Sequence, residues 1–451
     1  MRSKVAQQHA QRKAQQRKQA KKQGQARRPS SRNRSLLPTV EGPPNQGQAP
    51  YAGLWPVVRF LRYQLGIPLL LTQMACKEKG YRAVSLLLLL LCRPYARCDS
   101  IHQFRSLLAP RFIQRVFHLS YGKQRGGSVD ILYELFEKLD PTLIEKGVQR
   151  HLQQLRRRAL IGKQLRGYFD STIIEKSPHS TFEKAAWIKI REASYYGFKL
   201  FIIIDTTTKT LVYIRFTTVD QTDVKKLVPA VQKLHQLGFR LTQLGFDRGV
   251  WSGANFKFLE RHSIHFLTVL KNYQQEHQDL IRKVTSRTPG RQRFKPGVWI
   301  TEVPPISINT YFKTKKVRCI VVPQKGCLPW AIITNDTHLT PAQIVELYDH
   351  RNLVEKVIEE VKNDYAIQKL PRKKFTENTC YVLLTLWSYN RLNDYALTGL
   401  QKKDLCFQQL KSLRPILFSF TAIVIYPRFA MYLSFEITHP LQDKLLNFND
   451  L

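Results

Sequence analysis

The chain has 451 residues, enough for two or three domains and more than one sizeable core. Lys and Arg number 72 against 33 acidic residues, a formal charge of +39, while a hydrophobic share of 43% is that of a folded protein. Such a charge implies a polyanionic partner, and because the cations are spread along the whole chain, that partner is nucleic acid and not a membrane surface. Seven cysteines are scattered, with no CxxC pair and no histidines at zinc-ligand spacing, which favours free thiols in a reducing compartment, the cytoplasm, over disulfides or a structural zinc. The first thirty residues are basic without an apolar core, so no secretory signal is read there. The longest apolar runs, Val84 to Cys92 and Pro415 to Tyr426, fall short of the roughly twenty residues of a membrane span and read as buried helix or strand.

Residues 1–50 are rich in Gln, Lys, Arg and Ser, then in Pro and Gly, with no acid before Glu41. They cannot bury enough apolar surface to offset chain entropy, so a disordered basic tail is expected, either a phosphate-binding arm or a solubilising extension. Residues 51–160 show apolar positions at three- and four-residue spacing, as in IHQFRSLLAPRFIQRVFHL, and read as about five helices. This helical domain is expected either to bind duplex DNA or to serve as scaffold.

The period then changes. QLRGYFD (Gln164 to Asp170), KLFIIID (Lys199 to Asp205) and LVYIRFTTV (Leu211 to Val219) read as an antiparallel strand trio. A helix over 224–237, a strand closing at Asp247, a helix over 252–261 and a strand from Ile264 follow. This order is that of an α/β, ribonuclease H-like fold, in which the first and fourth strands lie side by side at the centre of the sheet. Asp170 and Asp247, each read as ending its strand, should then converge although 77 positions separate them. Asp205 ends its own strand equally well, and an Asp there is usually a turn former. The segment 272–335 reads as an inserted β subdomain that includes GVWITEV and LPWAIITND.

Thr340 to Tyr365 reads as a helix with a strong start: Thr340 as N-cap, Pro341 at the first position and Gln343 completing a capping box. Tyr348, Arg351, Glu355 and Lys362 project from one side of it, beside an apolar stripe of Leu347, Val354, Val357, Ile358 and Val361. Packed across the sheet edge, such a helix would add Glu355 to the two aspartates. An Asp, Asp, Glu set suits a pair of hard divalent cations about 3.5 to 4 Å apart acting on a phosphodiester, because such ions take oxygen ligands. Arg351 and Lys362 flank Glu355 and would neutralise phosphate in the same site.

These residues resemble a known family. Tyr348, Arg351, Glu355 and Lys362 match the Y-x2-R-x3-E-x6-K signature of DDE transposases of prokaryotic insertion sequences, joined in family order by FDST at Asp170, YYGFKLFIIID, GFDRGV at Asp247 and AIITND before the helix. The resemblance covers residues 164–365, and CYVLLTLWSYNRL resembles the family's closing helix. It implies a catalytic core over 161–271 and 336–400, with 401–451 as a C-terminal segment. It further implies Asp170, Asp247 and Glu355 as ligands of two Mg²⁺ or Mn²⁺ ions, and Tyr348, Arg351 and Lys362 as contacts to transposon-end DNA. Water would cut at the element's end and the freed 3′-hydroxyl would attack target DNA, with a homodimer acting on paired ends in the nucleoid. Some members form a DNA hairpin and stack a flipped base on a Trp of the β insertion; Trp299 and Trp330 lie in that segment, though a strand aromatic usually packs in the core. The residues alone leave two alternatives: a metal-dependent nuclease without strand transfer, and an inactive DNA-binding remnant.

Overall fold

The structure is a computed structural model that describes residues 46–49, 51–64, 83–108, 111–117, 119, 129–190, 192–270, 275–282, 284, 288–289, 291–307, 316–324, 327–419, 422–425 and 432–434. The basic tail up to residue 45 lies outside the described residues. Strands Gln46–Ala49, Ala422–Ile425 and Tyr432–Ser434 form a small sheet, with Val424 opposite Leu433. The other described elements form one compact unit over 48–422.

Its centre is a ten-stranded sheet: β1 Gln164–Glu175, β2 Ala186–Ile190, β3 Ala193–Asp205, β4 Leu211–Thr218, β5 Arg240–Phe246, β6 His265–Val269, β7 Arg291–Lys295, β8 Val298–Ile306, β9 Val317–Gln324 and β10 Cys327–Thr334. The order is β2-β3-β1-β5-β6-β10-β9-β8-β7, with β4 on β3. Strands β1 and β5 are parallel neighbours, as are β5 and β6, while β3 runs antiparallel to β1 and β4. The run β4-β3-β1-β5-β6 is therefore the ribonuclease H-like order, first strand beside fourth, and the chain has the expected α/β fold. The inserted strands do not form a separate sheet: β10 pairs with β6 through Ile332–Val269, Ile333–Thr268 and Thr334–Leu267, so β7 to β10 continue the core sheet. Strand β2, which the composition of its segment does not announce, pairs with the first half of β3.

Helices α1 Leu54–Gln64, α2 Ala83–Cys92, α3 Asp130–Lys138 and α4 Pro141–Arg157, with short turns at Phe104–Leu107 and Arg111–Val116, precede the sheet. Helices α5 Asp223–Gln236, α6 Gly253–Arg261 and α7 Gln275–Arg282 lie between sheet strands; α8 Pro341–Asp349, α9 Arg351–Asn363, α10 Phe375–Asp394 and α11 Leu410–Leu417 follow them. Helix α10 is buried along nearly its whole length, from Glu377 to Asp394. It has no solvated face because it packs against α2, α3, α4 and β4 at once. Its polar residues are correspondingly committed. Asn390 accepts from the Leu211 N–H and donates to the Leu211 carbonyl (2.9 and 2.8 Å), fixing the β3–β4 turn. Arg93, at the end of α2, donates to the Tyr365 carbonyl and to Thr385 Oγ1, tying the chain after α9 to the same helix.

The apolar run Val84 to Cys92 lies in the buried α2, and of the run from Pro415 to Tyr426 the described residues include the end of α11 and the strand Ala422–Ile425. Among the described residues no helix is long and apolar enough to cross a membrane. Cys92, Cys98, Cys319, Cys380 and Cys406 are buried free thiols.

Candidate active site

Parallel pairing sets the heart of the site. Phe169 of β1 stands beside Phe246, the last residue of β5, so the next residues, Asp170 and Asp247, emerge as neighbours on one sheet face. Asp247 leaves the strand as the cap of a short 3₁₀ turn, its Oδ1 accepting from the Arg248 N–H at 2.6 Å. Asp170 does not end its strand as the sequence suggested. Strand β1 runs on to Glu175 because β3 continues to pair with it from Ile202 to Gly197. The opening is made by the end of β5, which stops one residue short of Asp247. Asp170 receives one hydrogen bond, from the Ser171 N–H at 2.7 Å. Burial pushes its carboxyl up to about 7, with the Asp247 and Asp223 carboxylates adding to the rise and the Ser171 N–H and Arg351 opposing it. The chemistry of this donor set, adjacent carboxylates of which one is partly desolvated, fits a hard divalent cation.

Asp205, the rival first acid, sits opposite Gly167, down the strand from Asp170. Its carboxylate accepts from the Thr208 N–H and hydroxyl (3.0 and 2.7 Å), which makes it the turn former of TTTKT.

The segment read as one helix is two. Thr340 caps α8 with the full capping box, but α8 ends at Asp349 and α9 starts at Arg351, with His350 between them. The cause is on β1. The Tyr168 hydroxyl donates to the Leu347 carbonyl at 2.7 Å, and the His350 N–H takes the same oxygen at 3.2 Å, so the regular bond to Arg351 is replaced. Tyr168 can lie there because its neighbour on β5 is Gly245, where an added Cβ would stand 2.1 Å from the Tyr168 ring. Tyr348 therefore belongs to α8, and Arg351, Glu355 and Lys362 to α9.

Helix α9 crosses the face that carries Asp170: Ile358, Val361 and Lys362 line a small cavity with Thr172, Leu200 and Ile202. Arg351 hydrogen-bonds the Tyr348 hydroxyl (3.3 Å) and interacts electrostatically with Asp170 and Asp247. Burial lowers the Lys362 ammonium pKa, opposed by Glu175 and Asp170. Glu355 lies on the stripe between Arg351 and Lys362, exposed, with Oε1 on Arg351 Nη2 at 2.8 Å. Among the described residues no three acid, His or Cys side chains stand close enough to hold one ion. Arg351 occupies Glu355 instead. Tyr348 is buried against Trp330, ring centroids 5.6 Å apart. Trp299 is no core aromatic: it is 39% exposed, with Arg291 4.3 Å above its ring.

Two contacts that position the site were not foreseen. Lys209, in the TTTKT turn, forms a buried ion pair with Glu360 of α9 at 3.0 Å, and Glu360 also accepts from the Leu410 N–H at 2.9 Å. Asp223, first in α5, bonds both Ser171 and Lys199. Neither had a sequence signal, since each joins residues far apart in the chain without a local motif.

The strand order and the adjacent aspartates define a ribonuclease H-like α/β protein with a carboxylate site on its central strands. Residues 162–391, just over half of the chain, match the family described as transposase DDE domain, and the chain belongs to that family. Among solved structures it is similar to a piggyBac transposase synaptic complex with hairpin DNA, at 12% identity and a TM-score of 0.43, covering 90% of this chain and 88% of that one. It is also similar to a Drosophila P element transposase strand transfer complex, at 11% identity and a TM-score of 0.24, over 76% and 87%. Both likenesses are too distant to carry residue correspondences. Among curated proteins no match is found.

Proposed function

We propose that this chain is the DNA transposase of an insertion sequence, cutting at transposon ends and joining 3′-hydroxyls to target DNA. The carrying observation is the pairing of Phe169 with Phe246, which sets Asp170 and Asp247 side by side at the end of β5, on the face crossed by the helix that bears Glu355. Asp170, Asp247 and Glu355 would hold two Mg²⁺ or Mn²⁺ ions. Bound there, such ions supply activation of the attacking oxygen and stabilisation of the leaving one. Glu355, now paired with Arg351, would complete the set if it turned from that partner, and the Arg351 guanidinium would then be available to a DNA phosphate. Lys362, partly buried on the same helix, places a second cation along the phosphate backbone, and Tyr348 orients Arg351 from below. A chain charge of +39 supports duplex binding and, with it, residence on the nucleoid in the cytoplasm. Action as a homodimer on paired ends is carried over from the family resemblance alone.

The test is Glu355→Gln. This variant should bind a transposon-end duplex as the parent does yet make no cut in Mg²⁺, and full cutting would sink the assignment. Supplying pre-cut ends separates a transposase from a plain nuclease, because only the former joins them to a target.

A further inference from the structure

Asp223 has no task in the chemistry above, yet it touches the supports of both aspartates. On β1, alternation places Asp170 on the face crossed by α9 and Ser171 on the opposite face, where α5 packs. From that far side Asp223 Oδ1 accepts from Ser171 Oγ at 2.9 Å, and the Ser171 N–H is the donor that holds Asp170. The second oxygen, Oδ2, faces the turn that follows Asp247, so close that a Cβ on Gly249 would lie 3.0 Å from it. Asn255 closes the same corner, donating to the Val224 and Val250 carbonyls (3.0 and 2.9 Å).

An acid at a helix N-terminus is ordinarily explained by the helix dipole. That explanation does not require a buried cation. Lys199 of β3, its side chain only 8% exposed, reaches Asp223 Oδ1 at 2.7 Å. Burying a lysine is costly unless its partner is fixed, so the pair holds the Asp223 carboxylate in one place. It also neutralises a third negative charge behind Asp170 and Asp247.

We propose that Asp223, held by Lys199, is a positioning residue that fixes the spacing of the Asp170 and Asp247 carboxylates from the opposite face of the sheet. This rests on the metal-binding reading of those two acids. Partners that orient metal ligands typically contribute about 10- to 100-fold in metal affinity.

The experiment is calorimetric titration of the full chain with Mn²⁺, beside duplex affinity and thermal melts. Asp223→Ala should bind Mn²⁺ about 10- to 100-fold more weakly, with duplex affinity and melting cooperativity unchanged. Gly249→Ala should weaken Mn²⁺ binding severalfold in the parent but add little in the Asp223→Ala background, because both act through the same oxygen. The double variant Asp223→Leu with Lys199→Met removes the buried pair without leaving an orphan charge, so it should fold and still show the Mn²⁺ defect. Parent-like Mn²⁺ affinity in Asp223→Ala overturns the positioning role alone. So does a loss of duplex and Mn²⁺ binding in equal measure. A parent chain that binds no Mn²⁺ overturns the metal reading itself, and this role with it.

Discussion

Asp394 and Asp170 are the same side chain in opposite circumstances. Asp394, at the end of α10, is buried and meets His151 (3.1 Å), Arg391 (3.1 Å) and Arg158 (3.3 Å). Burial works against its charge, but the His151 hydrogen bond and the cations outweigh it and hold the carboxyl below the usual range. Asp170 has a single backbone donor, lies beside another carboxylate, and is pushed up to about 7. The first network is satisfied internally and ties α4 to α10. The second has no comparable set of partners, as the metal-binding role proposed for it requires. Burial alone separates neither; the partners do.

The comparison can be broken most directly by exchanging each acid for its amide. Asp170→Asn should lower cleavage in Mg²⁺ by at least about 1,000-fold. In metal-free buffer near neutral pH the same variant should be more stable than the parent, by roughly 1–3 kcal/mol. A raised carboxyl means that the folded state binds more protons than the unfolded one between about 4 and 7, so this carboxylate costs stability as pH rises through that window. The stability gap should therefore widen from pH 4 to pH 7 and stay flat above, which denaturation at several pH values will read.

Asp394→Asn should do the reverse, losing about 3–5 kcal/mol because Arg391 is left buried without its counter-charge and His151 and Arg158 lose their carboxylate partner. A chemical melt measures this, and a silent substitution would show that the network is not structural. Tyr168→Phe tests the break between α8 and α9. Losing the Leu347 hydrogen bond should cost about 1 kcal/mol in a melt. Cleavage should fall by about tenfold, since small misplacements of reacting groups are costly. The smallest effect is expected of Lys362→Ala, which should lower the slope of log affinity against log salt by about one in a duplex titration.

How much of this was legible in the sequence differs by element. The central strands were, because β-branched and aromatic runs with clear breaks set both their type and their order. From that order Asp170 and Asp247 could be paired without seeing either. The start of α8 was also legible, since Thr340, Pro341 and Gln343 act locally. The break at His350 was not, because its cause is Tyr168, some 180 positions earlier, and Gly245 that lets the ring in. The same holds for Lys209 with Glu360 and for Lys199 with Asp223, where a lysine and an acid in an otherwise ordinary context acquire meaning only when the sheet closes. Strand β2 is not legible because AWIKI is only 5 residues long and gains its partners only from β3.

The spread of the site along the chain has a consequence for synthesis. Asp170 and Glu355 stand 185 positions apart, and Arg93 waits for Thr385 to complete the anchor of α9. At ribosomal rates of about 5–20 residues per second, roughly 10 to 40 s pass between the two acids leaving the peptidyl-transferase centre. Throughout that interval the nascent chain carries its cations without the full set of acids that the proposed function requires. On that proposal, a truncated product ending before Arg351 should make no cut in Mg²⁺, whatever duplex affinity it keeps, which a cleavage assay beside a gel shift would read.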